Sequence, residues 1–210
     1  SSQDVTINNQ SFASWSFSHN LNGMISQKTE TIGGISSQYD YTYDSMGRLR
    51  TVSKNGTLVE EYRYDINGRR SYEMNSFRGI SGRTFTYSNE DHLFTAGTST
   101  TYEYNTDGFL TKKTEGTEVT SYNYSSRGEL LKVTLPDGTV IEHLHDPLSR
   151  RIAKKVNGLI TEKYLWQDLI KLLAVYDGNN NLLMRFQYAD DRMPVDMEKN
   201  GTKYYLTYDQ

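Results

Sequence analysis

His143 and His145 form an H-x-H pair and are the first candidates for chemistry in this sequence. In an extended strand, side chains two residues apart lie on one face, so both imidazoles would point the same way. With one further donor, such a pair could ligate zinc. Twenty-one residues earlier, however, Tyr122 and Tyr124 hold the same places. Aromatic packing therefore explains the pair better, and we predict no metal and no cofactor.

Carboxylates also recur along the chain, at Asp44, Asp65, Asp146 and Asp209. General acid–base catalysis needs two carboxylates that converge and differ in pKa. These four stand one to a repeat unit, so they should face successive turns and cap them. The adjacent pair Asp190-Asp191 offers calcium two carboxylates, but neighbours on a strand or turn need not converge.

Three arginines, Arg48, Arg69 and Arg150, each stand four residues after one of these aspartates. They could bind an acidic ligand, but pairing with a turn carboxylate of the same or the next repeat is the simpler interpretation. The sequence contains neither a nucleophile-elbow pattern nor a glycine-rich phosphate loop. We therefore predict no catalytic residue and no enzyme activity within these residues.

The composition limits the kind of core that the chain can build. The hydrophobic fraction of 35% includes 17 Tyr, and the aromatic fraction is 12%. A chain this rich in aromatic residues is unlike a disordered one, but a thick two-sided core is not expected. The net charge is −3, there is no Cys, and no apolar run is long enough to span a bilayer. We therefore expect neither a nucleic-acid partner nor insertion into a membrane.

Self-similarity runs through the whole chain. The stretch "YTYDSMGRLR" (41–50) reads aromatic, any residue, aromatic, Asp, then Gly and Arg. We call the second aromatic of each copy the mark, and ten marks from 19 to 208 have a mean spacing of 21 residues. The marks are His19, Tyr43, Tyr64, Tyr87, Tyr104, Tyr124, His145, Trp166, Tyr188 and Tyr208.

Each position in the copy has a physical reason. Aromatics at the mark and two residues before it share a strand face. Asp or Asn after the mark can accept a hydrogen bond from its own backbone and start a turn, and Gly four residues after the mark supplies a positive φ. The predicted repeat-signature residues are Tyr41, Tyr43, Asp44, Gly47, Arg48, Tyr62, Tyr64, Asp65, Gly68, Tyr102, Tyr104, Gly108, Tyr122, Tyr124, Gly128, His143, His145, Asp146, Tyr164, Trp166, Tyr188, Tyr208 and Asp209.

Some copies depart from this pattern, and a second turn lies between marks. Asp91, Ser149 and Arg192 replace the turn glycine, and the Trp166 copy has none, so irregular turns are expected there. The second turns are predicted as two-residue hairpin loops. Their signals are Asn55-Gly56, Glu115-Gly116, Asp137-Gly138, Asn157-Gly158 and Asn200-Gly201.

Strand, hairpin turn, strand and second turn, repeated about ten times, predict an all-β fold. Tandem hairpins pair with their neighbours into one long antiparallel sheet, and the fixed twist of sheets makes it curve or spiral. The apolar segment "WQDLIKLLAVYD" (166–177) is also predicted as strand because it keeps the spacing. Residues 1–210 are expected to be a single array and a fragment of a longer chain. Its open edge strands are expected to favour self-association.

The motif Y-x-Y-D-x-x-G-R-L at this spacing resembles the YD repeat, or Rhs repeat. That family includes bacterial Rhs and wall-associated polymorphic toxins, the shell of insecticidal ABC toxin complexes, and animal teneurins. The resemblance implies a partial Rhs-type shell of spiralling strands, secreted or at the cell surface. A self-proteolytic core and a toxin domain, where family members have them, would lie beyond residue 210.

Two functions follow as expectations. The first is structural: a non-enzymatic shell segment that encloses or presents a downstream toxin, effector or cell-surface domain of the same longer chain. The alternative is an adhesion or carbohydrate-binding module that offers its Tyr-rich sheet face to a cell-surface glycan or protein.

Overall fold

A computed structural model describes residues 2–7, 10–189 and 192–208. These residues form two compact units, 1–100 and 101–210, with the division at Thr100/Thr101. Secondary structure in the described residues is strand throughout, apart from turns and one 3-10 helix of three residues. The predicted all-β class is thus confirmed. None of the helical segments described has the length and apolar character needed to cross a membrane.

The first unit is an antiparallel meander in which each strand pairs with the next along the chain. Its elements are β1 (Ser2–Ile7), β2 (Gln10–His19), β3 (Ile25–Ile32), β4 (Ile35–Tyr43), β5 (Leu49–Lys54), β6 (Thr57–Tyr64), β7 (Arg70–Asn75), the 3-10 helix Ser76–Arg78, β8 (Ile80–Tyr87) and β9 (Leu93–Ala96).

The second unit repeats the same meander, with sequential antiparallel pairing from β11 to β20. Its strands are β10 (Thr100–Tyr104), which begins at the unit boundary, β11 (Leu110–Glu115), β12 (Glu118–Tyr124), β13 (Leu130–Thr134), β14 (Val140–His145), β15 (Arg151–Val156), β16 (Leu159–Trp166), β17 (Leu172–Asp177), β18 (Leu182–Tyr188), β19 (Pro194–Lys199) and β20 (Thr202–Tyr205). The segment 166–177 is strand on both sides of a turn, as predicted.

A β-bulge accompanies the mark in repeat after repeat. The register shifts immediately before Tyr43, which pairs with Leu49, and before Tyr64, which pairs with Arg70. The same six-residue offset recurs at His19, Tyr87, Tyr124, His145, Trp166 and Tyr188. A bulge adds one unpaired residue to a strand and increases its twist, so the repeat inserts the same local distortion at regular intervals.

The apolar core is thin in both units, as the composition predicts. Buried apolar side chains among the described residues are few and mostly small: Ala13, Val52, Val59, Tyr62 and Ala96 in the first unit, and Val133, Ala153, Ala174 and Val175 in the second. Polar groups are buried beside them, including Glu73 and His143. Pairing between neighbouring strands therefore contributes more to stability here than a central core does.

The turns after Tyr43, Tyr87 and His145 share one geometry, although the glycine is replaced in two of them. Gly47 has φ +77, and its N–H donates to the carbonyl of Asp44 at 3.0 Å. Asp91 and Ser149 take φ +65 and +62, and their N–H groups donate to Ser88 and Asp146 at 3.2 and 3.0 Å. The prediction of irregular turns at these two positions is wrong. The side-chain oxygen of the first turn residue accepts two backbone N–H groups in each case, and this holds the chain in place.

Two other predicted departures have different outcomes. In the turn after Trp166, the side chain of Asp168 accepts the N–H groups of Ile170 and Lys171. In the other mark turns that the structure describes, the accepting side chain directly follows the mark, whereas Asp168 is the second residue after it. This turn is irregular, as expected. The turn expected at Arg192 contains Asp190 and Asp191, which lie outside the described residues, and so does the calcium candidate formed by those two carboxylates.

Three of the second turns are the predicted two-residue hairpins. Asn55-Gly56, Asn157-Gly158 and Asn200-Gly201 have positive φ at both residues, as a type I′ turn requires. Two predictions need correction. Glu115 pairs with Glu118, so the loop is Gly116-Thr117, one residue later than expected. Asp137-Gly138 belongs to a longer loop in which the N–H of Leu135 donates to the carbonyl of Thr139 at 2.9 Å. That loop has the same bonding as a mark turn.

We predict that Gly128→Ala destabilises the protein more than Gly138→Ala. Both glycines have similar left-handed φ, +86 and +84, so each alanine meets a similar backbone penalty of about 1 kcal/mol. A Cβ at Gly128 would lie 2.8 Å from the ring of Phe109, whereas one at Gly138 meets nothing within 4 Å. Urea unfolding should show a further loss of about 1 kcal/mol for Gly128→Ala. Equal losses would mean that the ring moves aside freely.

Candidate functional site

The mark side chains join consecutive repeats by a recurring hydrogen bond. Tyr43 Oη donates to the carbonyl of Ile25 at 2.6 Å, and Tyr64 Oη donates to that of Leu49 at 2.9 Å. Each acceptor is the residue that pairs with the preceding mark across the bulge. Further copies of this bond are Tyr87 to Arg70, Trp166 Nε1 to Arg151, Tyr188 to Leu172, and Tyr208 to Pro194, at 2.7 to 3.0 Å. We call this set of bonds the mark ladder.

A second connection runs through the residue five positions after the mark. The guanidinium of Arg48 lies 4.6 Å from the ring centre of Tyr64, the next mark, and that of Arg69 lies 5.0 Å from Tyr87. Two repeats later, Phe109 replaces the cation and stacks on Tyr124, with ring centroids 5.1 Å apart. Cation–π and ring contacts of this kind each contribute about 0.5–1 kcal/mol. Every such contact covers one face of a mark ring.

The predicted carboxylates cap turns and pair with arginine. Asp44 Oδ2 accepts from Arg48 Nε at 2.7 Å, and the Asp65–Arg69 and Asp146–Arg150 pairs repeat this bond at 2.6 and 2.8 Å. Hydrogen bonds from the backbone N–H and the guanidinium of Arg48 lower the pKa of Asp44. The outer guanidinium nitrogens of Arg69 and Arg150 then donate to a carbonyl of the next turn, at Ser88 and Asp168. Each arginine thus pairs with the turn carboxylate of its own repeat, and Arg69 also pairs with Asp91 of the next turn at 2.8 Å.

Several predicted signature residues lie where the repeat requires without joining a common centre. Tyr41 pairs across the sheet with Val52, Tyr122 with Val133, and Tyr164 with Val175. Tyr62 Oη donates to Glu60 at 2.6 Å and accepts from Asn75 at 3.3 Å. Tyr102 and Tyr104 lie on β10, Gly68, Gly108 and Gly128 have the expected positive φ, and Asp209 lies outside the described residues.

His143 and His145 lie on β14, and in the described residues no group of three or more metal-ligating side chains accompanies them. His143 is 9% exposed, and its Nδ1 is buried without a hydrogen-bond partner. Burial, and then the nearby charges of Arg151, His145 and Lys154, lower the pKa of His143. His145 Nδ1 is likewise buried and unpaired, so this mark brings no Nδ1 hydrogen bond to the ladder. The pair stands at the two aromatic positions of its repeat.

Sequence reasoning missed a buried ionic cluster in the first unit. Glu73 is 1% exposed and accepts hydrogen bonds from Arg83 Nη2 at 2.7 Å and Arg70 Nη1 at 2.8 Å. Burial alone would raise the pKa of Glu73, but the hydrogen bonds from Arg83 and Arg70 lower it. The two arginines also lie over the rings of Phe85 and Tyr62. No spacing rule in the sequence pointed to this glutamate.

The mark ladder was also missed, although the sequence contained its signal. All ten marks are Tyr, His or Trp, each with an N–H or O–H group, and none is Phe. Phenylalanine occurs instead two residues before the mark, at Phe17, Phe85 and Phe186. An aromatic position that excludes Phe needs its polar tip, since burial alone would accept either ring.

Repeated antiparallel hairpins, joined by a mark ladder and by arginine contacts between turns, define a protein built from tandem β-hairpin repeats. The teneurin YD-shell family model matches residues 1–210, and the chain belongs to that family. Mouse teneurin-3 is 26% identical over 194 residues, which cover 89% of this chain and 7% of that protein. The tRNA3(Ser)-specific nuclease WapA of Bacillus spizizenii is 26% identical over 181 residues, 80% of this chain and 6% of that protein.

Among solved structures, the crystal structure of TcdB2-TccC3 shares 11% identity with a TM-score of 0.46, over 90% of this chain and 14% of that one. The chain thus spans a small part of the proteins that it matches. The resemblance to YD-repeat proteins is confirmed by the family match. The adhesive alternative is not favoured, because the mark hydroxyls bond to backbone and cations cover several mark rings.

We predict that Tyr64→Phe lowers the free energy of unfolding by about 1 kcal/mol, because the carbonyl of Leu49 loses its donor while the ring contacts remain. The matched control is Tyr205→Phe. The side chain of Tyr205 is 78% exposed, so this substitution should change the free energy of unfolding little. Chemical unfolding of both variants measures the difference. If the two behave alike, the mark ladder does not stabilise the fold.

We also predict that His143 makes stability depend on pH. Its pKa is lower in the folded than in the unfolded chain, so the unfolded chain binds the proton first as the pH falls. The stabilisation is complete above about pH 6.5 and is lost as the pH falls below it. His143→Tyr, which restores the residue found at Tyr122, should remove this component of the pH dependence.

The control is His19→Tyr, at an exposed mark, which should leave the same component in place. Unfolding free energies of the three proteins between about pH 8 and pH 5 test the prediction. Equal pH profiles for the wild type and His143→Tyr would contradict it.

Proposed function

We propose that this array is a non-enzymatic wall segment of a β-shell, part of a longer chain, that encloses or presents a toxin, effector or cell-surface domain. The observation that carries this proposal is the mark ladder, because it bonds each repeat to its neighbour at the same place. A structure held by nearest-neighbour contacts can extend repeat by repeat without a growing core. Membership of the teneurin YD-shell family supports the same role.

The absence of enzyme activity is part of this proposal. It is supported by the bonds that the carboxylates and tyrosine hydroxyls already make within the repeats. Asp44, Asp65 and Asp146 are committed to turn capping and to arginine pairing. The tyrosine hydroxyls at Tyr43 and Tyr64 donate to backbone carbonyls. These groups stabilise the repeat and are not presented to a substrate.

The proposed partner is a downstream toxin or effector domain of the same longer chain. We propose that the chain is secreted or lies at the cell surface, as the resemblance to Rhs and wall-associated toxins implies. Residues 1–210 as one continuous array also remain a proposal, since each of the two compact units shows the same repeat by itself.

The test uses the full natural gene product that contains this array. We expect limited proteolysis followed by mass spectrometry to leave the attached domain intact within a resistant repeat region. The matched variant carries Tyr43→Phe, Tyr64→Phe and Tyr87→Phe, which weaken the wall without opening a cavity, and its attached domain should be cut sooner. Rapid loss of the attached domain from the wild type, with the repeats intact, would instead indicate an open scaffold.

A further inference from the structure

A groove of about 440 Å³ lies in the second unit, bordered by the consecutive mark turns 146–150 and 167–171. Leu148, Leu169 and Leu172 give it apolar walls, and Trp166 and the cation Arg151 also line it. Its volume falls in the range of about 300–1,000 Å³ that is usual for small-molecule sites. The groove therefore has room for a small ligand with an apolar body, and the surroundings of Arg151 indicate what the polar end of that ligand is.

Arg151 is a departure from the repeat that the fold does not require. It stands six residues after the mark His145, at a position where most repeats carry leucine. Those leucines are Leu49, Leu93, Leu110, Leu130 and Leu172. Since leucine serves this strand position in so many copies, the cation at Arg151 needs an explanation beyond folding.

The first unit shows how the repeat accommodates an arginine at this position. Arg70, six residues after Tyr64, has its Nη1 2.8 Å from an oxygen of the buried Glu73. The residue that corresponds to Glu73 in the second unit is Lys154, so a second cation stands where Arg70 has its counter-ion. In the described part of the chain, no carboxylate forms an ion pair with Arg151, and its Nε is buried without a hydrogen-bond partner.

The carboxylates near the groove each have another cation beside them. These couples are Asp146–Arg150, Glu162–Lys154, Glu129–Arg127 and Asp168–Lys171. The pKa of Glu162 is lowered first by the hydrogen bond from Tyr164, then by Lys154 and last by Arg151, so Lys154 is its main cation. With each of these carboxylates matched, Arg151 leaves one positive charge at the groove without a counter-ion.

We propose that the groove binds a small amphipathic carboxylate, with its apolar body against Leu148, Leu169 and Trp166 and its carboxylate on the guanidinium of Arg151. Guanidinium and carboxylate form strong charge-assisted hydrogen bonds. The single negative charge of a carboxylate matches the one unpaired positive charge, and an aliphatic chain suits the leucine walls. The ligand class is thus a medium-chain fatty acid. The site needs only the second unit and is independent of the proposed wall role.

An NMR titration of the whole chain with octanoate tests this site. The chain has two tryptophans, so its spectrum contains two indole N–H signals. Trp166 Nε1 donates to the carbonyl of Arg151 at 2.8 Å, and its signal should shift as octanoate binds. Trp15 Nε1 donates to Glu30 in the first unit, and its signal should stay in place. The uncharged probe 1-octanol should bind at least about tenfold more weakly, because it lacks the ion pair.

Two groove variants separate the charge from the apolar walls. Arg151→Leu takes the residue of most repeats and should fold, but octanoate and 1-octanol should then bind alike. Leu148→Asn copies Asn67, whose N–H accepts the same role in its turn, since both N–H groups donate to the turn aspartate at 2.9 Å. This variant should weaken the binding of both probes. The control Arg185→Gln removes a cation of the same unit that does not line the groove, and should leave both affinities unchanged.

Several outcomes would overturn the proposal. One is a Trp166 signal that octanoate does not move, which would mean that solvent alone serves Arg151. Another is equal affinity of the wild type for octanoate and 1-octanol, or a preference for octanoate that survives in Arg151→Leu. An equal shift of the Trp15 signal would show unspecific binding to apolar surface and would also overturn it.

Discussion

The hydrogen bond from a mark side chain to a carbonyl of the preceding repeat is the interaction on which the rest of the structure depends. At Tyr43 and Tyr64, as at most marks, a bulge disrupts the regular ladder between strands, and the mark side chain reaches a carbonyl of the preceding repeat. The donor then bonds to the residue that pairs with the preceding mark, as Tyr64 does to Leu49. One local distortion thus both bends the strand and joins it to the next repeat, so the thin core does not need to do so.

The arginine contacts complete this connection and explain how charged residues replace a core. An exposed ion pair contributes only about 0–1 kcal/mol. Arg48 combines such a pair with Asp44, a contact with the ring of Tyr64 and a weak bond to the carbonyl of Asp65 at 3.4 Å. Phe109 fulfils the ring contact without charge. The fifth residue after the mark therefore needs a long or flat side chain that covers the ring of the next mark, and this side chain need not be charged.

The repeat around His145 differs from its neighbours in three respects. Its mark leaves a buried Nδ1 unpaired, its partner position His143 is buried with a lowered pKa, and its turn borders a groove that Leu148 and Leu169 line. Where a mark lacks a bond to the preceding repeat, local opening should require less free energy. The two histidines that first suggested zinc in the sequence thus lie in a repeat whose mark brings no Nδ1 hydrogen bond to the ladder.

The sequence by itself determined the repeat, the all-β class and most of the turns, because these depend on residues within a few positions of each other. The aspartate at the mark turn, the left-handed glycine and the Asn-Gly hairpins are local signals. It did not determine that Asp91 and Ser149 keep the regular turn, or that Asp137-Gly138 lies in a longer loop. The tertiary structure alone decided the mark ladder, the Glu73 cluster and the groove. These join residues on different strands, and their contacts exist only once the register and the bulges are set.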